Sequence, residues 1–165
     1  MTGFARDNKS KQKKSNKKPS KKQIIVQAFK FHSQGNITEA TKYYEYFIKQ
    51  GFHDHRVFSN YGVILRDLGK LKEAELATRK AIELNPEYPQ AHLNLGNILR
   101  DLGKLKEAEL AIRKAIELNP EFSNAHRDLS ICLYLLEDLN SAMKSINKAN
   151  SLNTKDIMNQ LLLKI

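Results

Sequence analysis

Few side chains in this sequence have the types and spacing that chemistry requires. His53 and His55 flank Asp54, and two imidazoles separated by one residue could hold a metal ion. A third ligand at a suitable spacing is absent from the sequence, so we interpret them as solvated loop histidines. The single cysteine, Cys132, stands among leucine and isoleucine residues, and Arg127 is its one nearby cation. It therefore fits a small buried residue better than a reactive thiol.

Nucleotide-binding motifs are also missing from the sequence. Glycines recur at fixed intervals, at Gly35, Gly69 and Gly103 and again at Gly62 and Gly96, and none forms a GxGxxG or P-loop pattern. We interpret them as turn and packing positions. The sequence predicts no catalytic residues, no metal and no cofactor, so we expect a protein that is not an enzyme.

The positive charge is concentrated at the N-terminus. Of the formal net charge of +10, residues 1–22 carry +8 and the remaining chain carries +2. Lysines with few apolar neighbours cannot bury enough surface to offset chain entropy, so we expect 1–22 to be a disordered basic tail. No aromatic side chain lies among the eight lysines of the tail. Any binding to nucleic acid or another polyanion would be weak, nonspecific and salt-sensitive, and a solvated linker is the other interpretation.

Nothing in the sequence predicts export or membrane insertion. No apolar run reaches the roughly 18 residues that a membrane span needs. The basic N-terminus is not followed by the apolar stretch of a secretory signal, since Gln27 and Lys30 soon interrupt the run 24–26. A single cysteine excludes an internal disulfide framework. We therefore expect a cytoplasmic protein.

The strongest pattern in the chain is an internal repeat. Residues 64–87 and 98–121 are identical except at one pair of equivalent positions, Thr78 and Ile112. The offset between the two copies is constant, and a fixed period of this length predicts a solenoid of stacked units. Weaker copies extend the frame to four units, at about 21–54, 55–88, 89–122 and 123–156.

Each unit is predicted to contain two helices. In the third unit, apolar residues recur at helical spacing on both sides of Gly103, and Asn119-Pro120 ends the second helix. Gly96 and Ala108 are small at the point where the two helices should cross closely. One pair cannot bury its own apolar face, whereas a stack of pairs can.

These residues resemble the tetratricopeptide repeat (TPR) family, whose repeating pattern contains W-x2-L-G-x2-Y, A-x3-F and a late proline. The matching residues in the third unit are His92, Leu95, Gly96, Leu99, Ala108, Ile112 and Pro120. The resemblance implies an all-α fold, a right-handed α-solenoid of about four helix-turn-helix units. We expect residues 157–165 to add a separate C-terminal helix.

The resemblance also implies a binding surface. In TPR arrays the first helices line a concave groove that receives an extended peptide or a partner helix. The residues that would line it here are Arg56, Asn60, Val63, Arg66, Gln90, Asn94, Asn97, Arg100, Arg127 and Asp128. Asn60, Asn94 and Asp128 recur one period apart, similar to an asparagine ladder in the TPR arm of O-linked N-acetylglucosamine transferases. Their side chains could bind a peptide backbone or only the neighbouring helices.

The sequence therefore predicts a non-catalytic protein–protein interaction module that binds a peptide or partner protein. One alternative is the N-terminal TPR arm of a larger transferase-type protein, and another is association of the tail with nucleic acid or an anionic surface. The apolar end of the chain further predicts a homodimer through the C-terminal helix, with contacts by Leu161, Leu162 and Ile165.

Overall fold

The structure is a computed structural model, and it describes the backbone of residues 18–162 and the side chains of residues 18–155. Eight helices occupy this described part of the chain. They are α1 (Lys21–Ser33), α2 (Ile37–Lys49), α3 (His55–Asp67), α4 (Leu71–Leu84), α5 (Pro89–Asp101), α6 (Leu105–Leu118), α7 (Ser123–Leu135) and α8 (Leu139–Leu162). The first helices of the four pairs begin at a constant interval, and so do the second helices.

The helices stack in the order of the chain. Each helix packs against the next one, and α3 also contacts α5 as α5 contacts α7. The core runs through all four pairs, because each pair buries apolar side chains that its neighbours cover. This consecutive packing of helix pairs confirms the predicted α-solenoid.

A left-handed backbone residue separates the two helices of every unit. Gly35, Gly69 and Gly103 have φ between 71° and 76°, a conformation that glycine adopts without a Cβ penalty. In the fourth unit the equivalent residue is Glu137, with φ 64°. The turn geometry is thus kept in all four units, although the fourth unit has a residue that is disfavoured there.

The helices of a unit cross where a glycine allows close contact. A Cβ on Gly96 would collide with Ile112 Cγ1 and would lie 3.2 Å from the carbonyl oxygen of Ala108. Gly62 occupies the same place against Thr78 in the second unit. The prediction that Gly96 and Ala108 mark a close crossing is confirmed.

The C-terminal segment differs from the expectation of a separate helix over 157–165. Helix α8 runs without a break from Leu139 to Leu162. The second helices of units two and three end just before Pro86 and Pro120, whereas the equivalent residue in unit four is Thr154. Threonine does not stop a helix as proline does, so α8 continues through this position.

The N-terminal boundary lies slightly earlier than the sequence predicted. Ser20 Oγ accepts a hydrogen bond from the Gln23 amide, and the Gln23 side chain accepts one from the Ser20 amide. This capping box starts α1 at Lys21. Lys21 and Lys22, which the sequence assigned to the basic tail, therefore belong to the first turn of α1. Residues 1–17 of the predicted tail lie outside the described residues.

Candidate functional site

The ten residues predicted to line a groove lie on α3, α5 and α7, the first helices of units two to four. Several of their polar side chains bind from one unit to the next. Three such contacts join neighbouring first helices: Asn94 with Ser59, Asn97 with Asp128, and Arg66 with Asp101. Four of the ten predicted residues, Arg66, Asn94, Asn97 and Asp128, are thus joined across α3, α5 and α7, and their polar groups already have partners within the stack. A groove formed by all ten stays a prediction.

Asn94 is one of the two buried residues among the ten, together with Asp128. Its Nδ2 donates to Ser59 Oγ at 2.9 Å, and its Oδ1 accepts from Gln90 Nε2 at 2.8 Å. The residue is only 7% exposed. Of the two interpretations that the sequence left open, binding to a neighbouring helix describes what this amide does in the structure.

The equivalent position in the fourth unit is closed in a related way. Asp128 is buried, and its carboxylate accepts from Asn97 Nδ2 at 2.8 Å and from Arg127 Nε at 3.4 Å. This carboxylate is closed to a ligand mainly because the residue is only 7% exposed, and both of its bonds are to residues of the array. Asp128 thus fastens α5 to α7.

Asn60, one period before Asn94, has more open surroundings. It lines a cavity of about 370 Å³ with Phe29, His32 and Ser33 of α1. One of these lining residues, His32, has its Nδ1 3.0 Å from the hydroxyl of the buried Tyr44. Burial raises the pKa of Tyr44 to about 12, against the opposing effect of a hydrogen bond with Asn60. Of the three ladder residues, Asn60 has its side chain beside an open cavity.

A larger cavity of about 530 Å³ adjoins the same phenylalanine. Ile25, Val26 and Phe29 contribute its apolar surface, and Val26 is 54% exposed. Lys22 and Arg56 stand at its rim with Lys21. The groove predicted from the sequence began at the second unit, so these residues of the first unit were missed. The repeat pattern could have predicted them, because Lys22 and Phe29 lie one repeat before Arg56 and Val63, which were predicted to line the groove.

The rim of this cavity carries excess positive charge. Arg56 makes two hydrogen bonds to Asp54, at 2.9 and 3.1 Å, and its guanidinium stands 5.6 Å from the Phe29 ring centroid. Burial alone would raise the pKa of Asp54, but the bonds from Arg56 lower it below its usual value. Lys21 donates to the carbonyl oxygen of His53. Asp54 offsets one of the three cations, so the rim favours an anionic neighbour.

The histidine and cysteine side chains that could act in catalysis or metal binding pack against other residues of the protein. Among the described residues, no group of three histidine, cysteine or carboxylate side chains is placed to hold a metal ion. His55 opens α3 and packs edge-on against Tyr88, with ring centroids 4.8 Å apart. The buried Cys132 thiol donates to the carbonyl oxygen of Leu105, and burial raises its pKa. A thiol in this state is a poor nucleophile.

Two further histidines have equivalent roles one period apart. His92 Nε2 donates to the Pro86 carbonyl at 2.7 Å, and His126 Nε2 donates to the Pro120 carbonyl at 2.9 Å. Each bond ties a first helix to the loop that precedes it. Both histidines are half-buried, at the position where the TPR pattern has a tryptophan.

Two other predictions concern dimerisation and membrane insertion. The side chains of Leu161, Leu162 and Ile165 lie outside the described residues, so dimerisation through them stays a prediction. No helix in the described part of the chain is both long and apolar enough to cross a membrane.

Family models identify two stretches of the chain as repeats. A model described as "Tetratricopeptide repeat" matches residues 89–122, and one described as "TPR repeat" matches residues 62–99. A search of curated proteins finds no match. The more specific similarity to the TPR arm of O-linked N-acetylglucosamine transferases therefore stays a prediction.

Solved structures show the same fold at low sequence identity. A crystal structure of MamA has a TM-score of 0.76 and 19% identity, covering 84% of this chain and 81% of that one. MamA from Desulfovibrio magneticus RS-1 has a TM-score of 0.74 and 18% identity, covering 82% and 77%. YrrB, described as a TPR protein with an unusual peptide-binding site, has a TM-score of 0.72 and 20% identity, covering 88% and 75%.

Proposed function

This chain contains tetratricopeptide repeats in an all-helical solenoid, and we propose that it is a non-catalytic protein-interaction module. The first helices of the four units, α1, α3, α5 and α7, form the face that binds an extended segment of a partner protein. The α1–α3 cavity, formed by Lys21, Lys22, Ile25, Val26, Phe29 and Arg56, receives an apolar side chain of that segment. Acidic residues beside that side chain lie near the cations of the rim.

The observation that supports this function best is an apolar surface left open beneath positive charge. Val26 is 54% exposed on α1 although it is an aliphatic residue of a packed helix. The cavity volume of about 530 Å³ falls in the range of natural ligand clefts. Cations around an apolar pocket favour a segment with acidic and apolar residues and disfavour a basic one.

Two features of the wider molecule agree with binding rather than catalysis. The buried cysteine and two of the histidines are occupied in hydrogen bonds to backbone carbonyls. YrrB, which shares the fold, is described as having a peptide-binding site. At 20% identity the similarity shows the fold alone, so the proposed ligand chemistry rests on the α1–α3 cavity of this chain.

The test uses an array of acetylated and amidated peptides, with binding of selected sequences measured by fluorescence anisotropy. We expect Val26→Asp to abolish binding of peptides that carry an acidic and an apolar residue, because it places a negative charge in the cavity. Leu76→Asp is the matched control, since Leu76 is 70% exposed on α4. Circular dichroism should show equal helicity for both variants. Equal binding by the two variants would refute the proposed site.

A further inference from the structure

An ion pair that joins units two and three has no counterpart between units three and four. Arg66 Nε lies 3.2 Å from Asp101 Oδ2 and thereby links α3 to α5. One period later the equivalent residues are Arg100 and Leu135, and leucine provides no carboxylate. The carboxylate contact that remains to Arg100 is with its own neighbour, Asp101, at 3.9 Å. Arg66 thus pairs with a carboxylate of the unit that follows it, whereas Arg100 has no such carboxylate at the equivalent position of the unit that follows it.

Polar atoms beside this position are left without hydrogen bonds. Arg100 Nη1 and Asn97 Oδ1 are both buried and have no hydrogen-bond partner among the described residues. The two residues are three apart on α5, so their side chains lie next to each other on one face. Buried polar groups are nearly always paired in folded proteins, so the described residues leave part of the hydrogen-bonding capacity of Arg100 unused.

The neighbouring helix presents an apolar surface at the same place. Ile131, Tyr134 and Leu135 are 42%, 65% and 48% exposed on α7. Their spacing puts them on one side of the helix. In the third unit the equivalent residues are Asn97, Arg100 and Asp101, which are all polar. The fourth unit therefore has an apolar stripe in place of a polar one, next to an arginine that lacks its carboxylate.

We propose that this α5–α7 subsite, formed by Arg100, Ile131, Tyr134 and Leu135, binds an acidic residue that is adjacent to an apolar residue in a partner protein. The inference rests on the proposed function and specifies a second contact on the same face. The partner's carboxylate takes the place that Asp101 has beside Arg66, and its apolar side chain covers Ile131 and Tyr134. A polyanion without apolar groups would leave the α7 surface exposed, and a basic segment would meet Arg100 and Arg127.

The experiment uses two matched pools of capped fluorescent peptides. Each peptide in the first pool carries an Asp or Glu next to Leu, Ile or Phe, and the second pool has Asn or Gln in place of the acid. Fluorescence anisotropy measures binding to the full chain. We expect the acidic pool to bind at least about tenfold more tightly than the amide pool, since a charge-assisted bond to arginine is lost in the second.

Three variants assign this preference to the subsite. Arg100→Gln removes the cation, and Leu135→Asp provides an internal carboxylate like that of Asp101, so we expect each to weaken binding of the acidic pool by about tenfold. Arg113→Gln is the matched control, because Arg113 lies on α6, outside the proposed binding face, and is paired with Glu109. The affinity of this variant should stay within about twofold of the original chain. Circular dichroism checks that all three variants keep their helicity.

The outcomes separate this inference from the proposed function. If the acidic pool binds, Val26→Asp abolishes binding and Arg100→Gln has no effect, the α5–α7 subsite is refuted and the α1–α3 cavity stands. Equal affinity for the two pools also overturns the subsite. If neither pool binds the original chain at micromolar concentration, both proposals are overturned.

Discussion

The side chain of Asn94 donates a hydrogen bond to Ser59 Oγ at 2.9 Å, and both residues are buried between α3 and α5. This bond joins the first helices of two successive units. It shows why an asparagine is present on the proposed binding face without being available to a ligand. In a repeat protein, contacts of this kind hold one unit to the next and set the stability of the array.

Asn94→Ala should destabilise the protein by about 1–3 kcal/mol, because it leaves the buried Ser59 hydroxyl without its donor. Asn60→Ala is the matched control one period earlier and should cost less. The buried Tyr44 hydroxyl that Asn60 bonds keeps its contact with His32, and water can enter the open cavity beside Asn60. Urea unfolding monitored by circular dichroism measures both variants. Equal losses would mean that the Asn94–Ser59 bond contributes nothing beyond its position in the repeat.

Thr78→Val should stabilise the protein. Thr78 Oγ1 is buried and has no hydrogen-bond partner among the described residues, so its removal relieves a desolvated hydroxyl and is expected to gain up to about 1 kcal/mol. The reverse change in the duplicated unit, Ile112→Thr, should cost about 2–3 kcal/mol, since it buries a new hydroxyl and removes apolar contacts. Thermal unfolding of both variants gives the comparison. A loss of stability in Thr78→Val would contradict this account.

Glu137→Gly should also stabilise the fold. Glu137 has φ 64° at the position where the other three units have glycine. Relief of this backbone conformation, partly offset by the greater entropy of glycine in the unfolded chain, is expected to gain about 0.5–1 kcal/mol. Gly103→Ala tests the same geometry in the opposite direction and should lose about 1 kcal/mol. If both substitutions are neutral, the left-handed turn is not under strain.

Stability should fall as the pH is lowered through the range in which His32 titrates. Burial lowers the pKa of His32 from 6.5, while the charge of Asp67 acts in the opposite direction. The folded state therefore prefers neutral His32, so its contribution is present above pH 6.5 and is lost as protonation of the unfolded state begins below it. Tyr44 and Asn60 face the same group and remain uncharged in this range.

The measurement is the free energy of unfolding in urea between about pH 7.5 and pH 5. His32→Gln removes the titrating group and should flatten this part of the profile relative to the original chain. His126→Gln is the control, since that imidazole is bound to a backbone carbonyl in the fourth unit. An unchanged slope in His32→Gln would assign the pH dependence to other groups.

Removal of residues 1–19 should leave the melting temperature nearly unchanged and abolish retention on heparin. The truncation keeps Ser20, because its side chain caps α1. Most of the net charge of +10 lies in the removed segment, and phosphate- or sulfate-bearing polymers bind mainly through charge. Retention of the truncated chain at moderate salt would place the polyanion-binding surface on the helices instead.

The sequence by itself determined the repeat architecture. The constant offset between repeated positions located the units, and the glycines and prolines located most turns, because these residues act through local backbone geometry that needs no knowledge of distant contacts. The prediction of a separate C-terminal helix did not hold, since Thr154 provides no such local stop and α8 continues past it. Where the chain lacks a strong local signal, the end of an element depends on packing and is harder to predict.

Only the tertiary structure decided which polar residues are free to bind. Asn60 and Asn94 are equivalent in sequence, but the second is closed by Ser59 and Gln90 whereas the first borders a cavity with Phe29. Arg66 and Arg100 are likewise equivalent, and they differ because the residue facing each comes from the following unit, where Asp101 is replaced by Leu135. Periodicity defines a position within its own unit, whereas hydrogen bonds and ion pairs across the stack depend on side chains that lie a full repeat away.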